Sequence, residues 1–152
     1  MAKEIERKFL VTDRTFAKMA NRTKRIRQTY LSDKPEATVR IRITDDAAFI
    51  TVKGITTGHV RDEWEYPIPV DDAIEMAQSL TGGFSIDKTR YYVPYEGFIW
   101  EVDEFHGRHD GLIIAEVEMA EPDAEPALPP FIGIEVTGDP AYYNSTLASN
   151  QL

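Results

Sequence analysis

The feature that most constrains this chain is an alternation of charged and apolar residues that recurs in one short segment after another. In the first segment, residues 3–11, the charged residues Glu4, Glu6 and Lys8 occupy every second position. Alternate side chains of a strand point to opposite sides of a sheet, so this spacing places two carboxylates and an ammonium on one face. Like charges this close repel each other, and a bound divalent cation would relieve the repulsion. Taken alone, the segment is better explained as a solvated edge strand. Whether it forms part of a cation site depends on whether other strands repeat the pattern.

Later segments repeat the alternation, and the charged face of each carries a single sign. Two of them and part of a third are basic at these positions, and three are wholly acidic. A solvated sheet face usually mixes signs and includes Ser, Thr, Asn and Gln, because neighbouring like charges are unfavourable. The pattern therefore favours a closed barrel with an ionic interior and an apolar exterior that helices partly cover. The basic positions are Arg40, Arg42, Lys53, Lys88 and Arg90, and the acidic ones are Glu63, Glu65, Glu101, Asp103, Glu116 and Glu118, with Glu135 between two apolar residues of a last strand.

Turn and helix signals divide the chain into hairpin-connected strands with three helices. Helices are predicted over residues 14–20, 71–80 and 140–152, and the second is the clearest because acidic residues begin it and two glycines end it. Residues 32–36 contain Pro35 and are predicted to be a loop. Sequential hairpins indicate antiparallel pairing, hence a mainly β, α+β fold. Strands are predicted over residues 3–11, 26–31, 38–43, 49–53, 61–68, 85–93, 98–105, 112–119 and 132–137.

With 17 basic and 26 acidic residues among 152, the chain has a formal net charge of −9. This charge argues against nucleic acid or an anionic membrane surface as the main partner. The chain has no cysteine, no apolar signal segment and no apolar run near the ~20 residues of a membrane span, so a soluble cytoplasmic protein is predicted. His106 and His109 lie in a predicted turn and are expected to be exposed loop residues rather than metal ligands.

An interior that carries both signs of charge indicates a particular chemistry. The acidic strands would hold hard divalent cations through carboxylate oxygens, and arginine suits phosphate oxygens through its planar fork. Together they predict a polyphosphate ligand chelated to Mg²⁺ or Mn²⁺, and metal-assisted attack of water on its terminal phosphoryl group. No P-loop pattern is present, so side chains would hold the phosphates. Tyr30 is either a packing residue or a hydroxyl near Lys8 that helps to handle the proton of the nucleophile.

The ordered set of charged residues resembles the CYTH family, the triphosphate tunnel metalloenzymes. Glu4-x-Glu6-x-Lys8 matches the signature of that family, and the later charged pairs follow in the family's order over nearly the whole chain. The resemblance implies one domain over residues 1–152, folded as an eight-stranded antiparallel tunnel with a few flanking helices. It also implies metal-dependent hydrolysis of a triphosphate, with inorganic tripolyphosphate favoured and nucleoside triphosphates as further candidates.

The resemblance further implies a role for each charged position. The implied metal ligands are Glu4, Glu6, Asp103, Glu116 and Glu118. The implied phosphate ligands are Lys8, Arg40, Arg42, Lys53, Lys88 and Arg90. Lys8, with Tyr30 as its partner, would position or activate the attacking water. The role of four further tunnel carboxylates stays open, since they would either bind a second metal or pair with basic side chains inside the tunnel. These are Glu63, Glu65, Glu101 and Glu135.

Several functions share such a tunnel, and the motifs do not choose among them. Class IV adenylate cyclases, thiamine triphosphatases and RNA triphosphatases use similar sites, although no segment here indicates an adenine pocket. A non-catalytic binder of polyphosphate or an organic triphosphate would need the same residues. A barrel that carries an apolar ligand is disfavoured, because such cavities are mostly apolar. Exposed apolar strand faces make a homodimer a further expectation.

Overall fold

In this computed structural model, which describes residues 2–149, nine strands form one antiparallel sheet that closes on itself. The strands are β1 Ala2–Val11, β2 Arg22–Lys34, β3 Ala37–Thr44, β4 Ala47–Lys53, β5 Val60–Ile68, β6 Ile86–Tyr95, β7 Phe98–Phe105, β8 Ile113–Glu118 and β9 Ile132–Glu135. The helices are α1 Phe16–Met19, α2 Val70–Thr81 and α3 Asn144–Ser149.

The barrel closes at β1. One side of β1 pairs with β8 through residues 6–10. On its other side, residues 2–5 pair with β5, while Phe9 and Val11 pair with β9. Strands β1 to β8 therefore form the predicted eight-stranded antiparallel barrel, and β9 is added beside the later part of β1.

The apolar residues that alternate with the charged ones pack outside the barrel wall. Phe9, Trp100 and Val117 lie in one exterior cluster, which Phe16 of α1 and Phe131 cover. A second exterior cluster joins β3 and β4 to α2. Full burial of a large apolar side chain contributes about 1.5–3 kcal/mol, so both clusters stabilise the wall from outside. The second cluster is formed by Ile41, Ile43, Ala48 and Ala73.

A third cluster lies inside the barrel, where one helix packs, whereas the sequence predicted helices on part of the exterior. Leu147 and Ala148 of α3 pack against the interior side chains of Ile86, Phe105 and Ile114. These positions continue the charged faces of their strands, but they are apolar at this end. The helix therefore closes one end of the barrel, which we call the inner end, and the ionic part of the interior opens at the opposite end.

Several boundaries differ from the sequence prediction, and three of the differences have an identifiable cause. Residues 32–34 continue β2 and pair with β3, because the polar side chains taken as a loop belong to a solvated strand end. Helix α1 has four residues, since the Oδ1 atom of Asp13 accepts bonds from the amide and hydroxyl of Thr15 before the helix begins. The predicted terminal helix divides into a 3-10 turn, Pro140–Tyr142, and α3, and its last residues, 150–152, lie outside the described part.

None of the helices within residues 2–149 has the length and apolar character that crossing a membrane requires.

Candidate active site

The tunnel, by which we mean the cavity enclosed by the barrel, is lined equally by carboxylates and by basic side chains. Its volume is about 250 Å³. Seven glutamates line it, namely Glu4, Glu6, Glu63, Glu65, Glu101, Glu116 and Glu118. Seven basic residues line it, namely Lys8, Arg40, Arg42, Lys53, Arg61, Lys88 and Arg90. Opposite charges confined together pair where they can, so the charges that stay unpaired indicate what the tunnel binds.

Asp103 holds two basic side chains deep in the wall. Its Oδ1 accepts a bond from Nε of Arg90 at 2.7 Å, and its Oδ2 lies 2.9 Å from Nη2 of Arg90 and 2.7 Å from Nζ of Lys88. Burial lowers the pKa of Lys88 to about 7. Burial alone would also lower the pKa of Arg90, but Asp103 outweighs it and raises that pKa. Both oxygens of Asp103 are therefore engaged by cations.

Lys53 is shared by two glutamates at the open end. Its Nζ donates to both oxygens of Glu4 at 2.9 Å and lies 3.4 Å from Oε2 of Glu63. Burial opposes ionisation of Glu4, but the Lys53 ammonium outweighs it and lowers the pKa of Glu4. Burial and the charge of Glu4 raise the pKa of Glu63. The single ammonium of Lys53 thus neutralises only part of the negative charge of Glu4 and Glu63.

Glu6 and Glu118 face each other across β1 and β8 and have no basic partner within ion-pair distance among residues 2–149. Burial, together with Glu116 and Glu4, raises the pKa of Glu6 well above its usual range. Burial and Glu4 also raise the pKa of Glu118. Glu116, in contrast, lies 3.8 Å from Lys8.

A divalent cation fits this carboxylate group by its chemistry. Hard cations are bound by several carboxylate oxygens, and here four glutamates project from two neighbouring strands with their charge incompletely compensated. In the described part of the chain, no three Asp, Glu or His side chains already converge as a complete metal site. The Glu4 carboxylate is held by Lys53 instead.

Three arginines provide the complementary excess of positive charge. Arg42 donates from Nε to Oε1 of Gln28 at 3.0 Å, and Arg61 donates to Oγ1 of Thr38 at 2.9 Å. Neither has a carboxylate partner among the described residues, and burial followed by repulsion from Arg40 lowers the pKa of Arg42 to about 10. Arg40 pairs with a glutamate, but its buried Nε has no acceptor there. These guanidinium groups are suited to bind an anion.

At the inner end, α3 and the turn before it contribute to the tunnel. Nζ of Lys88 donates to Oδ1 of Asn144 at 2.8 Å, and Nζ of Lys8 donates to the carbonyl of Tyr142 at 3.3 Å. The Tyr30 hydroxyl accepts a bond from Nε2 of Gln28 at 3.1 Å. Tyr30 thus lies on the tunnel lining and also packs against the cluster at the inner end, and the hydrogen-bond partner of its hydroxyl is Gln28 rather than Lys8.

Comparison with known proteins identifies the family. The model of the CYTH domain matches residues 2–143. The chain belongs to the CYTH family. An inorganic triphosphatase of Acetivibrio thermocellus is 45% identical over 150 residues, covering 99% of this chain and 96% of that protein. An inorganic triphosphatase of Nitrosomonas europaea is 38% identical over 150 residues, covering 95% and 96%.

Solved structures agree on the CYTH fold. An inorganic triphosphatase superposes with a TM-score of 0.69 at 32% identity, covering 99% of this chain and 97% of that chain. A Hippeastrum protein assigned as an adenylyl cyclase with a dominant triphosphatase activity has a TM-score of 0.55 at 17% identity, covering 78% and 80%. At that identity the second likeness shows the fold alone.

This CYTH domain places all but two of the predicted site residues on the tunnel lining. Asp103 lies behind the lining, buried against Lys88 and Arg90. Glu135 lies outside the barrel, where its carboxylate accepts two bonds of 2.9 Å from Arg7. The reason is that β9 is added to the outside of the eight-stranded closure, so its side chains do not enter the tunnel.

Several residues on or next to the tunnel lining were not assigned to the site from the sequence, among them Arg61, Gln28 and Asn144. Arg61 lies two positions before Glu63 on the same face of β5, so the alternation itself contained the signal. Gln28 shares a face of β2 with Tyr30 but is neutral, and a search for charge overlooks it. Asn144 reaches the tunnel only because α3 folds into the inner end, which the local sequence does not indicate.

Proposed function

We propose that this CYTH domain is a divalent-metal-dependent triphosphatase that hydrolyses the terminal phosphate of inorganic tripolyphosphate. The observation that carries the proposal is that one tunnel leaves charges of both signs unpaired. Glu6 and Glu118 need a cation, while Arg42 and Arg61 need an anion. A metal–triphosphate complex brings both at once. The names of the two curated relatives support the same substrate.

Glu4, Glu6, Glu116 and Glu118 are the residues that would hold the metal, for which we propose Mg²⁺ or Mn²⁺. When bound, the cation would neutralise charge on the phosphates and lower the pKa of a coordinated water. The contacts of Asp103 favour a role in orienting Lys88 and Arg90 over the metal role first expected.

Internal pairing is the role that the contacts support for three other tunnel glutamates. Glu63 pairs with Lys53, Glu65 with Arg40 and Glu101 with Arg90. These pairs keep basic side chains extended toward the lumen until phosphate oxygens compete for them. The pairing is therefore a means of pre-organising the anion site.

The substrate would enter from the open end with its terminal phosphate innermost, because α3 fills the inner end. Arg61, Arg40 and Arg42 follow one another from the open end inward and would bind successive phosphates, with Lys53, Lys88 and Arg90 on the other walls. Lys8 lies where the carboxylates meet the basic residues and would position the attacking water. The Tyr30 hydroxyl, which accepts a bond from Gln28 on the tunnel lining, would be a second candidate for proton handling.

The test is phosphorus NMR of the protein incubated with Mg²⁺ or Mn²⁺ and, separately, tripolyphosphate, ATP or thiamine triphosphate. The proposal predicts orthophosphate and pyrophosphate from tripolyphosphate as the fastest reaction, abolished by a chelator. Cyclic AMP with pyrophosphate from ATP would establish the cyclase instead. Tight binding of tripolyphosphate without turnover would establish a polyphosphate-binding protein.

Four wider expectations remain proposals. We propose that one CYTH domain spans residues 1–152, that the protein is cytoplasmic, and that it has no nucleic-acid or membrane partner. A homodimer formed through exposed apolar strand faces is the fourth.

A further inference from the structure

Helix α3 closes the inner end of the tunnel although it has only six residues. A helix this short is not stable in isolation, because nucleation costs more than so few hydrogen bonds return. In the described part of the helix, the carbonyl groups of Leu147 and Ala148 accept bonds from side chains outside it. Packing of Leu147 and Ala148 against the inner ends of β6, β7 and β8 supplies part of the stability of the helix, and these bonds supply another part.

Two side chains from the connection between β7 and β8 satisfy these carbonyls. Nη2 of Arg108 donates to the carbonyl oxygens of Leu147 at 3.2 Å and Ala148 at 2.9 Å. Nε2 of His109 lies 2.7 Å from the same Leu147 oxygen, and its ring packs edge-on against Phe105. Cations at a helix C-terminus are favoured by the helix dipole. His109 is therefore a half-buried structural residue, not the exposed loop residue expected from the sequence.

The other end of α3 meets the tunnel. Oδ1 of Asn144 accepts bonds from Nζ of Lys88 at 2.8 Å and from Nε2 of Gln28 at 3.1 Å. Gln28 in turn accepts the Nε–H of Arg42. The position of α3 thus sets the direction of one ammonium and, through one amide, of one guanidinium in the tunnel.

We propose that Arg108 and His109 are positioning residues, a clasp on the C-terminus of α3 that holds Asn144 against Lys88. Neither lines the tunnel, so neither is a catalytic residue. The link runs through rigid contacts at both ends of a helix barely more than one turn long, so loosening one end moves the other. The clasp itself is a feature of the fold. Only its expected effect on tripolyphosphate hydrolysis rests on the proposed function.

Hydrogen exchange of the α3 amides tests the clasp without reference to activity. In Arg108→Gln, and in the double variant Arg108→Gln/His109→Gln, the amide hydrogens of residues 144–149 should exchange about ten-fold faster or more. The reason is that the end of the helix loses its side-chain bonds. Arg108→Lys, which keeps a cationic donor, should restore part of the protection. Arg14→Gln is the matched control, since Arg14 pairs on the exterior with Glu104. Unchanged exchange in the double variant would overturn the clasp.

A double-mutant cycle on tripolyphosphate hydrolysis tests the link to Lys88. Arg108→Gln should lower kcat several-fold, and the loss should shrink to near zero in an Asn144→Ala background, because contacts in one network are not additive. Fully additive losses would overturn the link through Asn144. If the unsubstituted protein does not hydrolyse tripolyphosphate, the proposed function fails, and the exchange measurement still decides the clasp.

Discussion

Glu6 on β1 lies directly opposite Glu118 on β8, and neither carboxylate has a basic partner within residues 2–149. Burial and the charges of Glu116 and Glu4 raise the pKa of Glu6, and burial and the charge of Glu4 raise the pKa of Glu118, so the charged form of each is disfavoured without a cation. The same barrel supplies enough lysines and arginines to neutralise both, yet they are directed elsewhere. The pair is therefore built at a cost to the metal-free fold, which is the expected sign of a cation site.

Replacing Glu6 by Gln should stabilise the metal-free protein while removing activity. The folded-state pKa of Glu6 is raised, so the folded form holds its proton to higher pH than the unfolded form. Stability from this group is therefore lost as pH rises through and above the unfolded value of 4.5, and the variant avoids that loss. We expect a Tm increase in EDTA that is larger at pH values well above 4.5 than below 4.5, on the scale of about 2–4 °C per kcal/mol. A lower Tm for the variant at pH 8 would contradict the account.

Arg42→Gln should strongly lower kcat/KM for tripolyphosphate. Arg42 is a half-buried guanidinium without a carboxylate partner among the described residues, so a phosphate is its natural counter-charge. Loss of a charge-assisted hydrogen bond costs about 1.5–3 kcal/mol, which predicts a decrease in kcat/KM of roughly 10- to 100-fold. Arg25→Gln, which removes an exterior partner of Asp87, is the control and should change kcat/KM less than about two-fold. Equal effects of the two changes would refute the phosphate role.

Arg61→Gln tests the guanidinium at the open end. Its bonds to Thr38 and to the Gly54 carbonyl fix its position without neutralising its charge. Because it is outermost in the row, it should contribute more to binding than to chemistry. We expect KM for tripolyphosphate to rise while kcat stays within about two-fold, as for uniform binding. Isothermal titration with tripolyphosphate under Ca²⁺ provides the independent affinity, and unchanged affinity would remove Arg61 from the site.

Asp103→Asn separates a structural role from a metal role. Both oxygens of Asp103 are bonded to Lys88 and Arg90, so the variant leaves buried cations without their partner. Breaking such a pair costs about 3–5 kcal/mol, which denaturant unfolding would measure. The Mg²⁺ concentration for half-maximal activity should stay unchanged, whereas Glu118→Gln should raise it. A rise for Asp103→Asn as large as for Glu118→Gln would restore Asp103 as a metal ligand.

The sequence was informative wherever a two-residue period was local. The alternation at Glu4, Glu6 and Lys8, repeated in later strands, predicted the barrel and its ionic lumen, because one strand alone determines which side chains share a face. Glu135 also alternates with apolar residues, but it lies on β9, which is added beside the eight-stranded barrel. Only the way in which the sheet closes determines whether a strand belongs to the barrel.

Features that depend on tertiary packing were less accessible. The sequence contains a signal for the apolar inner end, since Leu10, Ile86 and Phe105 continue the charged faces of their strands with apolar residues. It contains no such signal for the helix that fills this end. Helix α3 is too short to have a recognisable pattern, and its contacts come from Arg108 and His109, far away in sequence. Asn144 could therefore not be assigned to the tunnel.

The most direct test of the account is phosphate release from tripolyphosphate under Mg²⁺ by two matched variants, Glu6→Gln and Glu135→Gln. Both remove one carboxylate charge, one inside the tunnel and one outside it, where Glu135 pairs with Arg7. We expect a loss of at least about 100-fold for Glu6→Gln, in the range found when a group that stabilises the transition state is removed. We expect near-normal activity for Glu135→Gln. Full Mg²⁺-dependent activity in Glu6→Gln would contradict the assignment of the tunnel as the metal and triphosphate site.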